Sequence, residues 1–349
     1  MSGRKARNTG RSRAGSALLK ILSSVLALLF VVVVGLYGVM WVLTKGPSPT
    51  AKRIFTRSVK ETSAVGFLAN LYLSKAEIDE IIGSAVEDVE TEELDTSLIV
   101  VKPPQPVYES SGESSHGEAE GNKKDGIELV EVSGSGYKGL MLIVDDPMRL
   151  FVGVPNVLGG VGMTLQDMVD TNDAVAGINA GGFYDPNGSG TGGTPDGLVV
   201  CDGKVVWGAE GVSVSAIGFD ADGILHVSNM TPAQARDANL QWAVSFGPAL
   251  IINGEPQSES VLKSGINPRT AIGQRADGAV LLLVVDGRQI DTLGATYGDL
   301  ADIFLDFGAI NAANLDGGSS TLMIYEGEII NSCASVMGPR PIPTSFLVR

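Results

Sequence analysis

The stretch AANLDGGSSTLMIY, residues 312–325, shows the pattern that recurs through most of this chain. A short apolar run predicts a strand that ends at Asp316, and a second apolar run begins after Thr321. The two glycines between them allow positive φ angles or the close approach of a ligand. As a simple turn the segment carries an unusual number of polar groups. We therefore interpret it as a strand, a tight turn and a strand, with Asp316 as a candidate for chemistry.

Short apolar runs separated by Gly, Asp, Asn and Pro continue outward over residues 127–349, and this texture is typical of strands and turns. Helix-like spacing occurs at 164–171, 231–239 and 296–307. Strands outnumber helices without regular βαβ alternation, which favours an α+β domain with a mixed sheet over a doubly wound fold. The predicted strands are 139–144, 150–154, 174–178, 197–201, 215–219, 225–227, 243–246, 249–252, 270–274, 280–286, 312–315, 322–325 and 344–348.

An uncharged apolar run of 23 residues, 21–43, lies near the N-terminus. At about 1.5 Å per residue it can cross a hydrocarbon core of about 30 Å. The basic tail before it, residues 1–20, has no acidic residue, so the positive-inside rule predicts a cytoplasmic N-terminus and an extracytoplasmic remainder. A cleaved signal peptide is the alternative, but its apolar core is shorter and no clear cleavage site follows Leu43. We expect a single-pass anchor in the cell membrane.

Residues 44–108 are interpreted as a helical juxtamembrane stalk. Within them, Ser74 and Glu77 have the spacing of a capping box that opens a short helix. Packing of this segment against the C-terminal domain is the competing interpretation. Residues 109–126 are rich in Ser, Gly and Glu without apolar periodicity, and they predict a disordered linker.

Charge is distributed unevenly along the chain, whose formal net charge is −15. Residues 54–349 contain 16 basic and 40 acidic residues, a net charge of −24. Such a surface repels polyanions at long range, so nucleic acid is not expected as a partner. Any phosphate-bearing substrate must be held by a local site.

The chain contains only two histidines and two cysteines, which limits the chemistry of these residues. His116 falls in the predicted linker, and His226 falls in a strand after a turn, where a core or edge position is expected. A Ser-His-Asp triad and a zinc site are therefore not predicted. Cys201 and Cys333 lie in apolar, strand-like surroundings, and the sequence leaves open whether they pair or remain separate buried thiols.

The remaining chemical groups are carboxylates, arginines, amides and glycine-rich turns, which suit glycosyl or phosphoryl substrates. In GINAGGFYD, residues 177–185, we expect a paired-glycine turn that exposes Asn179 and places Phe183 and Tyr184 beside a pocket. A plain turn with both rings in the core is the alternative. Residues 186–195 have the composition of a mobile loop that covers the site.

Two further motifs supply charges. In NPRTAIG, residues 267–273, Arg269 begins a strand after a proline, where its guanidinium can project toward a phosphate; a surface ion pair is the ordinary alternative. In VVDGR, residues 284–288, a strand ends in Asp286 and Arg288. That motif alone is an ordinary turn.

Taken in order, NAGGFY, FGPALIING, NPRTAIG, VDGR and NLDGGSS resemble the phosphodiester glycosidase family, whose animal members remove N-acetylglucosamine from a phosphodiester. The resemblance covers about residues 127–349, and the ordered set is far more specific than any one motif. It implies hydrolysis of a sugar-1-phosphodiester at the glycosidic carbon. A phosphomonoester leaves more easily than an alcohol, which fits a site without histidine.

The resemblance also implies roles for single residues. Asp316 is the first choice for the catalytic carboxylate and Asp286 the second, while Arg269 and Arg288 bind phosphate. Many relatives have a third glycine at the position of Ser319, so the backbone shape of that turn is left open. The substrate pocket is expected to include Asn179, Gly182, Phe183, Tyr184, Gly317, Gly318, Ser319 and Ser320.

Together these inferences predict an anchored bacterial hydrolase of phosphodiester-linked glycans in the cell envelope or exopolysaccharide. No cofactor and no metal ligands are predicted; acidic loops leave room for a structural divalent cation, but none has EF-hand spacing. The sugar, the stereochemistry and the oligomeric state are left open. The alternatives are a non-catalytic protein that binds or assembles envelope polysaccharide, and a hydrolase that cleaves the P–O bond. Carboxylates beside a phosphate-binding arginine argue against a pure binding protein, because they would repel its ligand.

Overall fold

The computed structural model describes residues 9–62, 65–83, 93–101, 123–186, 190–335 and 337–349. The predicted linker therefore falls largely outside the described residues, and so does His116. The helices, numbered in chain order, are α1 (Thr9–Lys45), α2 (Pro49–Lys60), α3 (Phe67–Asn70), α4 (Lys75–Gly83), α5 (Leu165–Thr171), α6 (Pro232–Asp237), α7 (Glu259–Leu262) and α8 (Tyr297–Asp306).

The strands form three sheets, and every described pair is antiparallel. They are β1 (Lys123–Lys124), β2 (Ile127–Gly134), β3 (Tyr137–Val144), β4 (Leu150–Gly153), β5 (Ala176–Asn179), β6 (Val199–Cys201), β7 (Lys204–Trp207), β8 (Val214–Asp220), β9 (Leu225–Met230), β10 (Leu240–Ser245), β11 (Ala249–Ile252), β12 (Glu255–Pro256), β13 (Arg269–Arg275), β14 (Val280–Val285), β15 (Ala309–Leu315), β16 (Met323–Tyr325), β17 (Glu328–Ile329) and β18 (Ser345–Val348).

The largest sheet has the order β1-β2-β3-β14-β13-β15-β11-β12, and the other two have the orders β7-β6-β10-β8-β9 and β17-β16-β5-β18-β4. Strand β14 is buried along its whole length because both faces of the large sheet are covered. Leu281 and Leu283 pack with Phe304 of α8, whereas Leu282 and Val284 belong to the core shared with the other sheets. This double burial explains why the strand reads as an unbroken apolar run.

The α+β class predicted from the sequence is confirmed, and each predicted strand overlaps a strand of the structure. The prediction of a mixed sheet is wrong for the described residues, since all their strand pairs are antiparallel. The three predicted helices correspond to α5, α6 and α8. Of the longer strands, β2 and β7 were missed. β2 is mostly half-buried or exposed and β7 alternates between exposed and half-buried, so neither carries a strong apolar signal.

Helix α1 contains a stretch, Ala17–Lys45, that is long and apolar enough to cross a membrane. After it, α2 packs against the C-terminal domain, where the Ser58 hydroxyl accepts a hydrogen bond from the Ile266 N–H at 2.8 Å. The predicted capping box opens α4, with Ser74 and Glu77 exchanging hydrogen bonds. Helix α2 thus has the packed arrangement of the competing interpretation.

Candidate active site

Asp316 follows β15 and begins the turn that leads to β16. Its N–H donates to the Ala180 carbonyl at 2.9 Å, and the Gly318 N–H donates to the Pro268 carbonyl at 2.8 Å. A Cβ atom at Gly317 would lie 2.7 Å from that same Pro268 oxygen, and Gly318 has a φ of 64°. Both glycines are needed because the turn lies directly against the start of β13.

Asn179, at the end of β5, fixes this turn from inside the protein. Its Oδ1 accepts hydrogen bonds from the Thr270 hydroxyl at 2.8 Å and the Leu322 N–H at 3.0 Å. Its Nδ2 donates to the Asp316 carbonyl oxygen. The side chain is 1% exposed, so the expectation that the glycine turn exposes Asn179 is wrong. β5 lies between β16 and β18, and the amide holds neighbouring elements together there.

The Asp316 carboxyl has a strongly perturbed environment. Removal from water raises its pKa to about 7, while a hydrogen bond from Ser320 and the charge of Arg340 act in the opposite direction. The negative charges of Asp185 and Asp196 raise the pKa further. A carboxyl with a pKa near 7 can exchange a proton at neutral pH, which is the property of an acid–base group.

Arg340 and Asp185 form an ion pair next to Asp316. Arg340 Nη2 donates to Asp185 Oδ2 at 2.6 Å, and the guanidinium lies 4.8 Å from the centroid of the Phe183 ring. Phe183 is therefore covered by an arginine, while Tyr184 is 64% exposed. Sequence reasoning missed both partners of this pair. Asp185 is the last residue of the GINAGGFYD motif, for which no role of the aspartate was predicted, and Arg340 lies in none of the motifs.

Gly182 lies at a close approach between two segments. Its N–H donates to the Ser245 carbonyl at 3.0 Å, and its own carbonyl accepts from the Asp196 N–H at 2.9 Å. A Cβ atom there would lie 2.7 Å from the Phe246 ring, so only glycine fits. Burial raises the pKa of the Asp196 carboxyl. Asp196 was missed because the sequence around it reads as an ordinary turn.

Two buried oxygens near Asp316 have no hydrogen-bond partner among the described residues. They are Asn314 Oδ1 and Thr321 Oγ1, one on each side of the turn in the sequence. The other end of the Asn314 amide donates to the Gly247 carbonyl at 2.8 Å. Buried polar atoms without partners are uncommon in folded proteins, and a catalytic role is one explanation for them.

Arg269, at the start of β13, faces a carboxylate from the N-terminal segment. Its Nη2 donates at 2.8 Å to Oε2 of Glu61, the residue that caps the end of α2. The Asn267 amide donates to the same oxygen at 2.9 Å, and the Gly265 N–H donates to Glu61 Oε1 at 2.8 Å. The guanidinium also lies 4.4 Å from the centroid of the Tyr297 ring. These groups form an anion site, and Glu61 occupies it.

Arg288 connects the same region to the Asp316 turn. Its Nη1 donates to Ser319 Oγ at 3.2 Å, and its Nη2 donates to Thr62 Oγ1 at 2.9 Å. Desolvation and the nearby charge of Arg269 lower the pKa of the Arg288 guanidinium. The two arginines therefore share one neighbourhood. The Ser319 hydroxyl thus accepts a hydrogen bond from Arg288.

The contacts of Asp286 differ from those expected of a second catalytic carboxylate. Its Oδ1 accepts from Asn331 Nδ2 at 3.0 Å and from the Ser332 N–H at 3.1 Å. These hydrogen bonds hold the segment after β17.

The remaining candidates play structural parts. His226 Nε2 lies 2.9 Å from Asp220 Oδ2 in a buried pair, as expected for a core or edge histidine. Cys201 and Cys333 are both free thiols, and burial raises the pKa of the Cys201 thiol to about 11. In the part of the chain that the structure describes, no cluster of His, Cys, Asp or Glu has the geometry of a metal site.

A sequence profile described as phosphodiester glycosidase matches residues 172–349. The match includes Asp316, the residues that perturb it and both site arginines. This chain belongs to the phosphodiester glycosidase family. Glu61 and Thr62 lie outside the matched residues, which is why no family motif pointed to them.

Several relatives of this chain are known by name. It is 30% identical to the SPbeta prophage-derived uncharacterized protein YomE of Bacillus subtilis (strain 168), over 54% of this chain and 29% of YomE. It is 25% identical to the mouse N-acetylglucosamine-1-phosphodiester alpha-N-acetylglucosaminidase, over 56% of this chain and 41% of the mouse protein. The chain thus spans less than half the length of either relative.

One solved structure has a similar fold. It is the catalytic domain of the zebrafish N-acetylglucosamine-1-phosphodiester alpha-N-acetylglucosaminidase, auto-inhibited by pro-peptide. The TM-score is 0.54 at 22% identity, and the alignment covers 64% of this chain and 82% of the zebrafish chain.

Proposed function

We propose that this chain hydrolyses a sugar-1-phosphodiester at the glycosidic carbon. The observation that carries the proposal is the Asp316 carboxyl, held in a phosphodiester glycosidase domain with a pKa near 7. Next to its turn, Arg288 supplies a positive charge suited to phosphate. A carboxyl of this kind suits reaction at the sugar of the substrate, and the guanidinium groups suit its phosphate.

In the proposed reaction, a water oxygen forms a bond to the anomeric carbon as the bond from that carbon to the phosphodiester oxygen breaks. The electron pair remains on the phosphate, which leaves as a phosphomonoester. Ionised Asp316 either stabilises the positive charge on the sugar ring or takes a proton from the water. The Ser320 hydroxyl orients this carboxylate through its hydrogen bond.

A second carboxylate is supplied by Asp185 in this proposal, in place of Asp286. The charge of Asp185 acts on Asp316, and Arg340 holds it through the ion pair. Asp286, by contrast, is engaged with the segment at 331–332. A pair of neighbouring carboxyl groups is the usual machinery of glycosidases.

We assign the phosphate to the positive region formed by Arg288 and Arg269. Arg288 lies at the surface beside the Gly318–Ser319 turn. Arg269 is buried behind Glu61, so it can bind phosphate only when the Glu61 carboxylate leaves. Glu61 is already an anion in contact with two donors and a guanidinium, which is the recognition chemistry that a phosphate needs.

The proposed location is the cell membrane, with α1 as a single-pass anchor. Its apolar stretch is long enough to cross, and the basic residues before it favour a cytoplasmic N-terminus. The catalytic domain then acts outside the cytoplasm on glycans of the cell envelope or exopolysaccharide.

An isotope experiment tests the proposal. The full chain, purified in detergent, is incubated with a chromogenic sugar-1-phosphodiester in oxygen-18 water. We expect label in the released sugar, and loss of turnover in Asp316→Asn but not in Asp302→Asn, a change at an exposed carboxylate of α8. Label in the phosphate would instead identify P–O cleavage. No turnover, together with normal ligand binding by Asp316→Asn, would identify a polysaccharide-binding protein.

A further inference from the structure

The segment around α3 lies alongside the apolar helix α1. The Tyr72 hydroxyl donates to the carbonyl oxygen of Tyr37 at 3.3 Å, and the two rings are 5.0 Å apart between centroids. Tyr37 precedes Lys45, the last residue of α1, by eight positions, or about 12 Å along the helix. The chain therefore turns back from the end of α1 and descends along its side.

This position is fixed from both ends. At the end of α1, the Glu77 carboxylate accepts hydrogen bonds from Lys45 at 3.3 Å and Lys52 at 2.8 Å. Inside the segment, a small apolar cluster forms its own core. The buried members of that cluster are Ala69, Leu73, Ile78 and Ile81.

Two large apolar side chains of the same segment are left on its surface. Phe67 is 59% exposed and Leu71 is 61% exposed. They lie within five residues of Tyr72, the residue that contacts α1. The polar residues Lys75, Asp79 and Glu80 are exposed on α4, beyond the turn. The segment thus exposes two large apolar side chains near Tyr72, while Asn70 between them accepts a hydrogen bond from Lys60 Nζ at 3.0 Å.

We propose that Phe67 and Leu71 insert into the outer leaflet of the membrane that α1 crosses. The inference rests on the proposed membrane anchor. Lys20 and Lys45 bracket the apolar run, and they lie about 37 Å apart along the helix. A core of about 30 Å centred between them reaches to about residue 42, so Tyr37 lies roughly 8 Å inside the lipid boundary.

Because Tyr72 hydrogen-bonds to Tyr37, Tyr72 lies at the same depth, and Leu71 is its neighbour in the chain. Exposed Phe and Leu side chains near that depth meet acyl chains, where such residues are favoured. The segment then contacts the membrane without spanning it. Together with α1, this contact holds the C-terminal domain in one orientation above the lipid surface.

A depth measurement tests this contact in the full chain. Cys201→Ala and Cys333→Ala remove the native thiols, and single cysteines are introduced as Leu71→Cys or Phe67→Cys. Each is labelled with the fluorophore NBD in nanodiscs of phosphatidylcholine and phosphatidylglycerol at a ratio of 3:1, with and without brominated acyl chains. Val32→Cys reports on the span, and Glu80→Cys is the exposed polar control.

We expect bromine to quench the probes at 67 and 71 at least about half as strongly as the probe at 32, and to leave the probe at 80 nearly unchanged. If 32 is quenched while 67 and 71 behave like 80, the contact is overturned and the anchor stands. Blue-shifted emission at 71 without bromine quenching would mean that protein covers this position, which also overturns the contact. If 32 itself is not quenched, the anchor is wrong and the contact falls with it.

Discussion

Replacement of Asp316 by asparagine should make the protein more stable at alkaline pH while it abolishes turnover. The folded protein raises the Asp316 pKa from 3.8 to about 7, so the folded state binds this proton more tightly than the unfolded state does. Stability is therefore lost as the pH rises from about 4 to 7, and the loss is complete above pH 7. A rise of about three in pKa corresponds to about 4 kcal/mol. Asp316→Asn carries no such penalty.

Urea unfolding of both proteins in detergent, followed by tryptophan fluorescence between pH 5 and pH 8.5, measures this penalty. Part of it is already present at pH 5, so the free-energy difference in favour of Asp316→Asn should grow by about 3 kcal/mol across the range. Asp302→Asn should show no comparable growth. In the same preparation the rate constant kcat should fall about 100-fold or more. A difference in stability that stays constant with pH would refute the burial argument, even if activity were lost.

Three further predictions concern other parts of the molecule. Glu61→Gln removes a charged partner of Arg269, worth about 1.5–3 kcal/mol, and should lower the KM for a phosphodiester about tenfold or more; an unchanged KM would show that Glu61 does not compete with substrate. Asn179→Ala leaves three buried partners unsatisfied and should lower the free energy of unfolding by about 3 kcal/mol or more in urea titrations, and a loss below about 1 kcal/mol would contradict the bracing role. Cys201 and Cys333 should both be alkylated in urea without reductant, as measured by mass spectrometry. Alkylation of the two thiols only after reduction would reveal a disulfide.

Local pattern was sufficient to predict most strands and the position of the Asp316 turn between two of them. The turn glycines, the following hydroxyls and the preceding apolar run are consecutive, so one stretch of sequence carries the whole signal. The same holds for the capping box at Ser74, where both partners lie within one helical turn. In each case the interacting groups are sequence neighbours.

Contacts between distant segments could not be predicted in this way. Arg340 is 155 residues from Asp185, and Glu61 is 208 residues from Arg269, so no spacing rule connects either pair. Asn179 was expected at the surface because paired glycines follow it. Its burial is decided by the strands on both sides of β5, which only the tertiary fold supplies.

Helix α2 connects the end of α1 to the site through very little chain. Its 12 residues rise about 18 Å, and Glu61 follows at once in the anion site. This short rigid connection ties the anion site to the end of the apolar helix. If α1 spans the membrane as proposed, the anion site stays within about one helix length of the lipid surface, and only phosphodiester bonds that come that close to the membrane would reach it.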